Sequence, residues 1–227
     1  MAAPTLRRGL LVLAAAGLVY TAAIVIRGPM PDPATQAGAF ARFLVGPYTR
    51  FAWAAILGGG VLELIGLVAL YAAIARSGPS TSALGGWLLS TVGMAMALPI
   101  FGFLAMAGPR IGSLYIQGDT QVMSIATAFF GGTRMTVALL AIMTITYIVG
   151  CILTAVAAWR RTAAPKWAIV AFVLHAPLIC IPVPFPLEIA GGALLLAAAV
   201  GFLSLASDPT PAAPAAASAR ESAMAGV

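Results

Sequence analysis

The sequence predicts an all-α membrane protein built from six transmembrane helices. Three observations predict it. Only 8% of the 227 residues are charged and 62% are hydrophobic, at a mean hydropathy of +1.04. Soluble domains carry about 25% charged residues, so this chain could not cover a soluble surface. The apolar residues gather in six runs, most of them near the roughly 20 residues that cross a bilayer. Glycine is abundant, with 24 residues, which suits helices that approach closely in lipid through small side chains.

The first run, 9–26, follows Arg7 and Arg8. Its flank resembles a secretory signal, but no small-x-small cleavage site leads into a polar sequence, and the arginines lack the fuller twin-arginine pattern. The run is read as a retained helix. The second, 51–75, carries one charge, Glu63. The third, 84–107, contains Pro99, which predicts a kink. The fourth is 135–159 and the fifth 167–181. Pro182, Pro184 and Pro186 cannot continue a helix and predict the turn to the sixth, 187–206. Residues 1–206 thus form one membrane domain. Residues 207–227, rich in Ala, Pro and Ser, are expected to be a disordered cytoplasmic tail.

Two connections, 27–50 and 108–134, exceed the 2–8 residues usual between bundle helices. Residues 34–44 would place Ala37, Phe40, Ala41 and Leu44 on one side of a helix, and residues 120–130 would do so with Val122, Ile125, Ala126 and Phe129. Both are read either as short interfacial helices or as packed loops.

Basic residues set the expected orientation. With both termini in the cytoplasm, Arg7, Arg8, Arg76, Arg160, Arg161, Lys166 and Arg220 lie inside, and Arg27, Arg42, Arg50, Arg110 and Arg134 lie outside. The chain is then a multi-pass protein of the cell inner (plasma) membrane. Trp87, Trp159 and Trp167 fall at inner segment ends, as interfacial anchors do. The net charge of +6 follows these flanks. No basic stripe interleaves with aromatics, so nucleic acid is not an expected partner.

A shift of 84 residues superposes Thr49–Arg50 on Thr133–Arg134, Gly66 on Gly150 and Arg76 on Arg160. Both copies read helix, long outer loop, Thr-Arg, helix, inner Arg, as a repeated hairpin would. The shift makes Tyr147 the counterpart of Glu63.

A carboxyl at membrane depth is costly and should face protein, water or a partner. Gly59, Gly60, Gly66 and Leu67 lie three and four residues from Glu63, so it sits on a glycine-bearing face. His175 is the only histidine. Counted from Lys166 it lies about 13 Å deep, and Glu63, counted from Arg76, about 19 Å deep. The two could meet across adjacent helices. Glu63, His175, Tyr147, Thr144 and Thr146 therefore form the candidate intramembrane polar cluster, with Ser90 and Thr91 near it on the third helix. Each of these has a plainer reading as a hydrogen-bonded core residue. Arg50, Arg110, Asp119, Arg134 and Glu188 are the expected outer-face charges, as a vestibule or as ion pairs closing the loops.

One histidine and two separated cysteines, Cys151 and Cys180, do not make a tetrahedral zinc site, and bis-histidine haem would need a second chain. No cofactor or metal is expected. No phosphate loop, GxSxG elbow, HExxH or paired acidic motif is present, so an enzyme ranks last among the functions. The second helix, GGGVLELIGLVALYAAIARSG, and the run AAWRRTAAPKWAIVAFVLHAPLICIPVPFPLEIAGGALLLAAAVGFLSLA resemble a family of six-helix bacterial, often actinobacterial, integral membrane proteins of unknown function. The resemblance is one of layout across most of residues 9–206. It implies a fold and an address, and supplies no residue roles. The expected function is a binding, accessory or structural membrane protein. The alternative is a small proton-coupled transporter or channel using Glu63 and His175. Expected partners are the bilayer, a second copy or another membrane protein, and a small ligand or lipid in the bundle.

Overall fold

The computed structural model describes residues 3–207 apart from Pro182. From residue 208 onward the expected tail lies outside the described residues. All regular elements among them are helical: α1 (Ala3–Arg27), α2 (Ala37–Val45), α3 (Pro47–Ala75), α4 (Thr81–Met106), α5 (Gly108–Ile116), α6 (Met123–Thr127), α7 (Arg134–Arg161), α8 (Lys166–Cys180), α9 (Phe185–Phe202) and α10 (Ser204–Ser207). A 3-10 turn at Thr120–Val122 and a π turn at Ala128–Gly132 flank α6.

Among the described residues five helices are long and apolar enough to cross a membrane: α1, α3, α4, α7 and the run Phe185–Ser207 formed by α9 and α10. The fifth expected run is helical where the sequence places it, but α8 has only 15 residues. That is about 22 Å, less than the roughly 30 Å of a hydrocarbon core.

Helix starts follow local chemistry. Ser80 caps α4 by accepting from the Ala83 N–H at 3.2 Å, and Thr133 caps α7 through the Thr136 N–H at 3.1 Å. Proline occupies the first turn of α3, α5 and α9, where its missing N–H costs nothing. The α3–α4 turn passes through Gly78 at φ +111°, a conformation that favours glycine. α4 continues through Pro99.

Six helices close a ring. α1 packs on α3, α3 on α4, α4 on α7, α7 on α8, α8 on α9, and α9 back on α1. The seams are made by small residues. A Cβ on Gly150 would stand 2.2 Å from the Ser90 nitrogen of α4, and one on Gly93 2.6 Å from the Tyr147 nitrogen of α7. These two backbones can meet only because no side chain separates them. Outward, α1, α3, α4 and α7 expose Leu, Val and Ile, such as Leu18, Ile65, Val92 and Ile145.

At one end of the ring Arg161 donates to the Gly78 carbonyl at 3.2 Å, Arg76 to the Leu205 carbonyl at 3.3 Å, and Lys166 to the Trp159 carbonyl at 3.0 Å. Trp159 and Trp167 are exposed there. Trp87 is instead half-buried and stacks on Tyr71 at 5.3 Å. At the other end α2 packs against α5. α2 buries Phe40, Ala41 and Leu44 as its spacing predicts. α5 falls within a stretch expected to be loop. The face expected for the 120–130 stretch is met in part: Ala126 is buried and Val122 and Phe129 half-buried, but Ile125 is 53% exposed and Met123 is buried instead.

Candidate functional site

α3 buries one continuous stripe: Ala52, Trp53, Ile56, Gly59, Gly60, Glu63, Gly66, Leu67 and Leu70. This three-and-four spacing turns Glu63 into the ring, where it is fully buried. Tyr147 reaches it from α7, carried inward by the Gly93 contact, and His175 reaches it from α8. All three have at most 1% exposure. Tyr147 Oη hydrogen-bonds Glu63 Oε1 and lies 2.9 Å from His175 Nε2. The carboxyl and imidazole are themselves 3.6 Å apart. His175 Nδ1 meets the Phe172 carbonyl of its own helix. The two residues that the 84-residue shift superposes, Glu63 and Tyr147, thus touch each other.

Donor accounting restricts the protons. The Phe172 carbonyl can only accept, so Nδ1 carries a hydrogen. Two arrangements then complete the chain. In one, the Glu63 carboxyl is protonated and donates to Tyr147, whose hydroxyl donates to a neutral His175. In the other, an imidazolium donates to Tyr147, whose hydroxyl donates to a carboxylate. They hold the same number of protons and the same net charge, and differ by a shift of two protons through one hydroxyl. Among the described residues Glu63 Oε2 is buried without a hydrogen bond of ordinary geometry, and Tyr20 of α1 interacts with the same carboxyl.

A cavity of about 760 Å³ lies beside this chain. Tyr20, Met94, Met143 and Thr144 line it, and the last two are one helical turn from Tyr147. Tyr20 interacts electrostatically with Glu63 from α1 while its hydroxyl donates to Met94 Sδ at 3.6 Å. Towards the α2–α5 end, Arg27 pairs with Glu188 and joins α1 to α9. The Arg27 guanidinium lies 5.0 Å from the centre of the Trp53 ring. Asp32 also lines this end. It accepts from Thr35 Oγ1 at 2.7 Å and from the Ala34 N–H at 2.9 Å. These bonds hold its carboxyl below the usual carboxylate range.

Of the sequence-predicted residues, Glu63, Tyr147 and His175 come together. Thr144 lies beside them on the cavity wall and donates to the Cys180 carbonyl at 3.4 Å. Thr146 is half-buried, and its hydroxyl has no hydrogen bond among the described residues. Ser90 donates to the Gly86 carbonyl at 2.8 Å and faces Cys151, and the Thr91 hydroxyl is buried without a partner among the described residues. Neither lines the cavity. Arg50, Arg110, Asp119 and Arg134 are exposed and form no ion pair among the described residues; Glu188 alone of the expected outer charges is paired. Sequence reasoning missed Tyr20, Arg27 and Trp53. A tyrosine inside an apolar run and an arginine at its end were the available signals. No group of three or more His, Cys, Asp or Glu that could hold a metal occurs among the described residues. No family model, curated protein or solved structure matches the chain.

Proposed function

We propose that the chain is a multi-pass plasma-membrane protein whose work is binding, and that it holds a small ligand or lipid inside its helix ring. In this reading six helices cross, α8 among them, and both termini lie in the cytoplasm. The observation that carries the reading is the cavity of about 760 Å³. Its volume falls within the roughly 300–1,000 Å³ of small-molecule sites, and like them it is mainly apolar with a few polar groups.

Native mass spectrometry of the full chain from mild detergent tests it. The wild type should retain a small molecule or lipid. Ala97→Phe, which fills the cavity from α4, should lose it, while Leu18→Phe on the exposed face of α1 should not. If wild type and Ala97→Phe retain the same species, the cavity is not the binding site.

The Glu63–Tyr147–His175 chain favours a second reading, proton-coupled movement of a solute. Two proton arrangements of equal net charge are what a relay requires. Glu63→Gln in liposomes separates the readings. Loss of pH-dependent uptake with unchanged thermal stability supports transport. Loss of stability with no uptake by the wild type leaves binding.

A further inference from the structure

The charges on the cavity wall do not cancel. Among the described residues the wall carries three charged side chains, Arg27, Asp32 and Glu188. Arg27 and Glu188 pair with each other, which leaves the Asp32 carboxylate in excess. The Glu63–Tyr147–His175 chain beside the cavity is net neutral in either of its proton arrangements. Asp32 is exposed, in the connection after α1, and lines the cavity together with Met30 and with Val183 of the α8–α9 turn. The Thr35 hydroxyl and the Ala34 N–H each donate to one of its oxygens and hold it ionised. A carboxylate has about four acceptor positions, so about two remain open. No cationic side chain pairs with it among the described residues. Most of the remaining wall is apolar, with Ile24, Ile56 and Leu178 among its residues.

Resting on the binding reading, we propose that the cavity takes a cationic amphiphile, a molecule with an apolar body and one ammonium head, and that the head pairs with Asp32 while the body fills the apolar part. One excess negative charge on the wall selects one positive charge. A zwitterionic lipid headgroup is a poorer match. Arg27 is the only cation on the wall among the described residues and is already paired, so a phosphate would meet no unpaired cation there.

The test uses the full chain in phosphatidylglycerol nanodiscs and two probes of matched shape. One is a naphthylethyl trimethylammonium ion, the other its neutral carbon analogue, in which a tert-butyl group replaces the head. Saturable binding is measured over that of empty nanodiscs. Asp32→Asn should weaken the cation about two- to five-fold, as an exposed ion pair implies, and leave the neutral probe unchanged, which also shows that the variant is folded. Val183→Lys, which adds a positive charge to the wall and leaves the Asp32 turn untouched, should weaken the cation in the same way and serves if Asp32→Asn folds poorly. Asp119→Asn, an exposed carboxylate that does not line the cavity, should change neither probe. Adding phosphatidylethanolamine to the nanodiscs should leave the effect of Asp32→Asn in place; if it abolishes that effect, a zwitterionic headgroup holds the site and the monocation is overturned. Binding of both probes with no selective loss in Asp32→Asn and Val183→Lys, or an equal loss in Asp119→Asn, overturns this inference and leaves the binding reading intact. Saturable binding of neither probe removes the binding reading as well.

Discussion

Tyr147 bridges the two ionisable groups of the ring, so it is the residue whose loss should be felt most. Tyr147→Phe removes both bridging bonds and leaves Glu63 and His175 buried without them. Stranding buried polar groups costs about 1–3 kcal/mol each, so unfolding in detergent should show a loss of about 2 kcal/mol or more. Glu63→Gln should cost less, because the amide can still bond the Tyr147 hydroxyl in the neutral arrangement. If Glu63→Gln is the more damaging change, the carboxyl is held as half of an ion pair. At this scale the sequence was partly legible. A lone carboxyl on a glycine face and a lone histidine at similar depth are rare enough to be found by inspection. Tyr147 emerged only through the internal shift. Trp53 and Tyr20 did not emerge, because aromatic residues in apolar helices are ordinarily core, and their role depends on an empty volume that no pattern encodes.

Elements were the most legible level, since runs of apolar residues and their caps are local properties. Ser80 and Thr133 set their helix starts by side-chain bonds to the next turn. The outer loops were less so: α5 lies in a stretch without a long apolar run, and Met123 rather than Ile125 is buried beside Ala126. The α4–α7 seam offers a direct comparison. Gly150→Ala would place a Cβ 2.2 Å from backbone on α4, whereas a Cβ at Gly58 meets nothing within 4 Å. Gly150→Ala should cost about 1–3 kcal/mol by overpacking and displace Tyr147. Gly58→Ala should be neutral or stabilising by up to about 1 kcal/mol. Thermal unfolding of the two variants against wild type checks the ranking. The turn after α1 has its own pH signature. Bonds from Thr35 and Ala34 lower the Asp32 carboxyl in the folded state. Its stabilising contribution is therefore fully present above the unfolded value of about 3.9 and lost as pH falls through the lower folded value. Wild type should lose more thermal stability between pH 6 and 3 than Asp32→Asn, which lacks that carboxylate.

For the whole molecule, the ring has two chemically distinct ends, and its orientation follows from which one faces the cytoplasm. One end gathers Arg76, Arg160, Arg161 and Lys166 around the short α3–α4 and α7–α8 connections. The other carries α2, α5, the Arg27–Glu188 pair and the cavity. Short loops rich in arginine and lysine stay on the cytoplasmic side, so the orientation proposed above would put the cavity in the outer half of the bilayer. What the sequence could not convey was the closure of the ring, because which helices are neighbours is set by seams such as Gly93 on Tyr147, a relation between distant residues. Single cysteines test the assignment in intact cells with a membrane-impermeant maleimide. Gln36→Cys, in the exposed connection before α2, should label before lysis. Ser77→Cys, in the exposed α3–α4 turn, should label only after permeabilisation. The native background should be low, since Cys151 is buried and Cys180 only partly exposed. Labelling in the opposite order would invert the molecule and place the cavity in the inner leaflet. Equal labelling of both sites before lysis would mean that the two ends share one side of the membrane, which a ring of alternating helices does not permit.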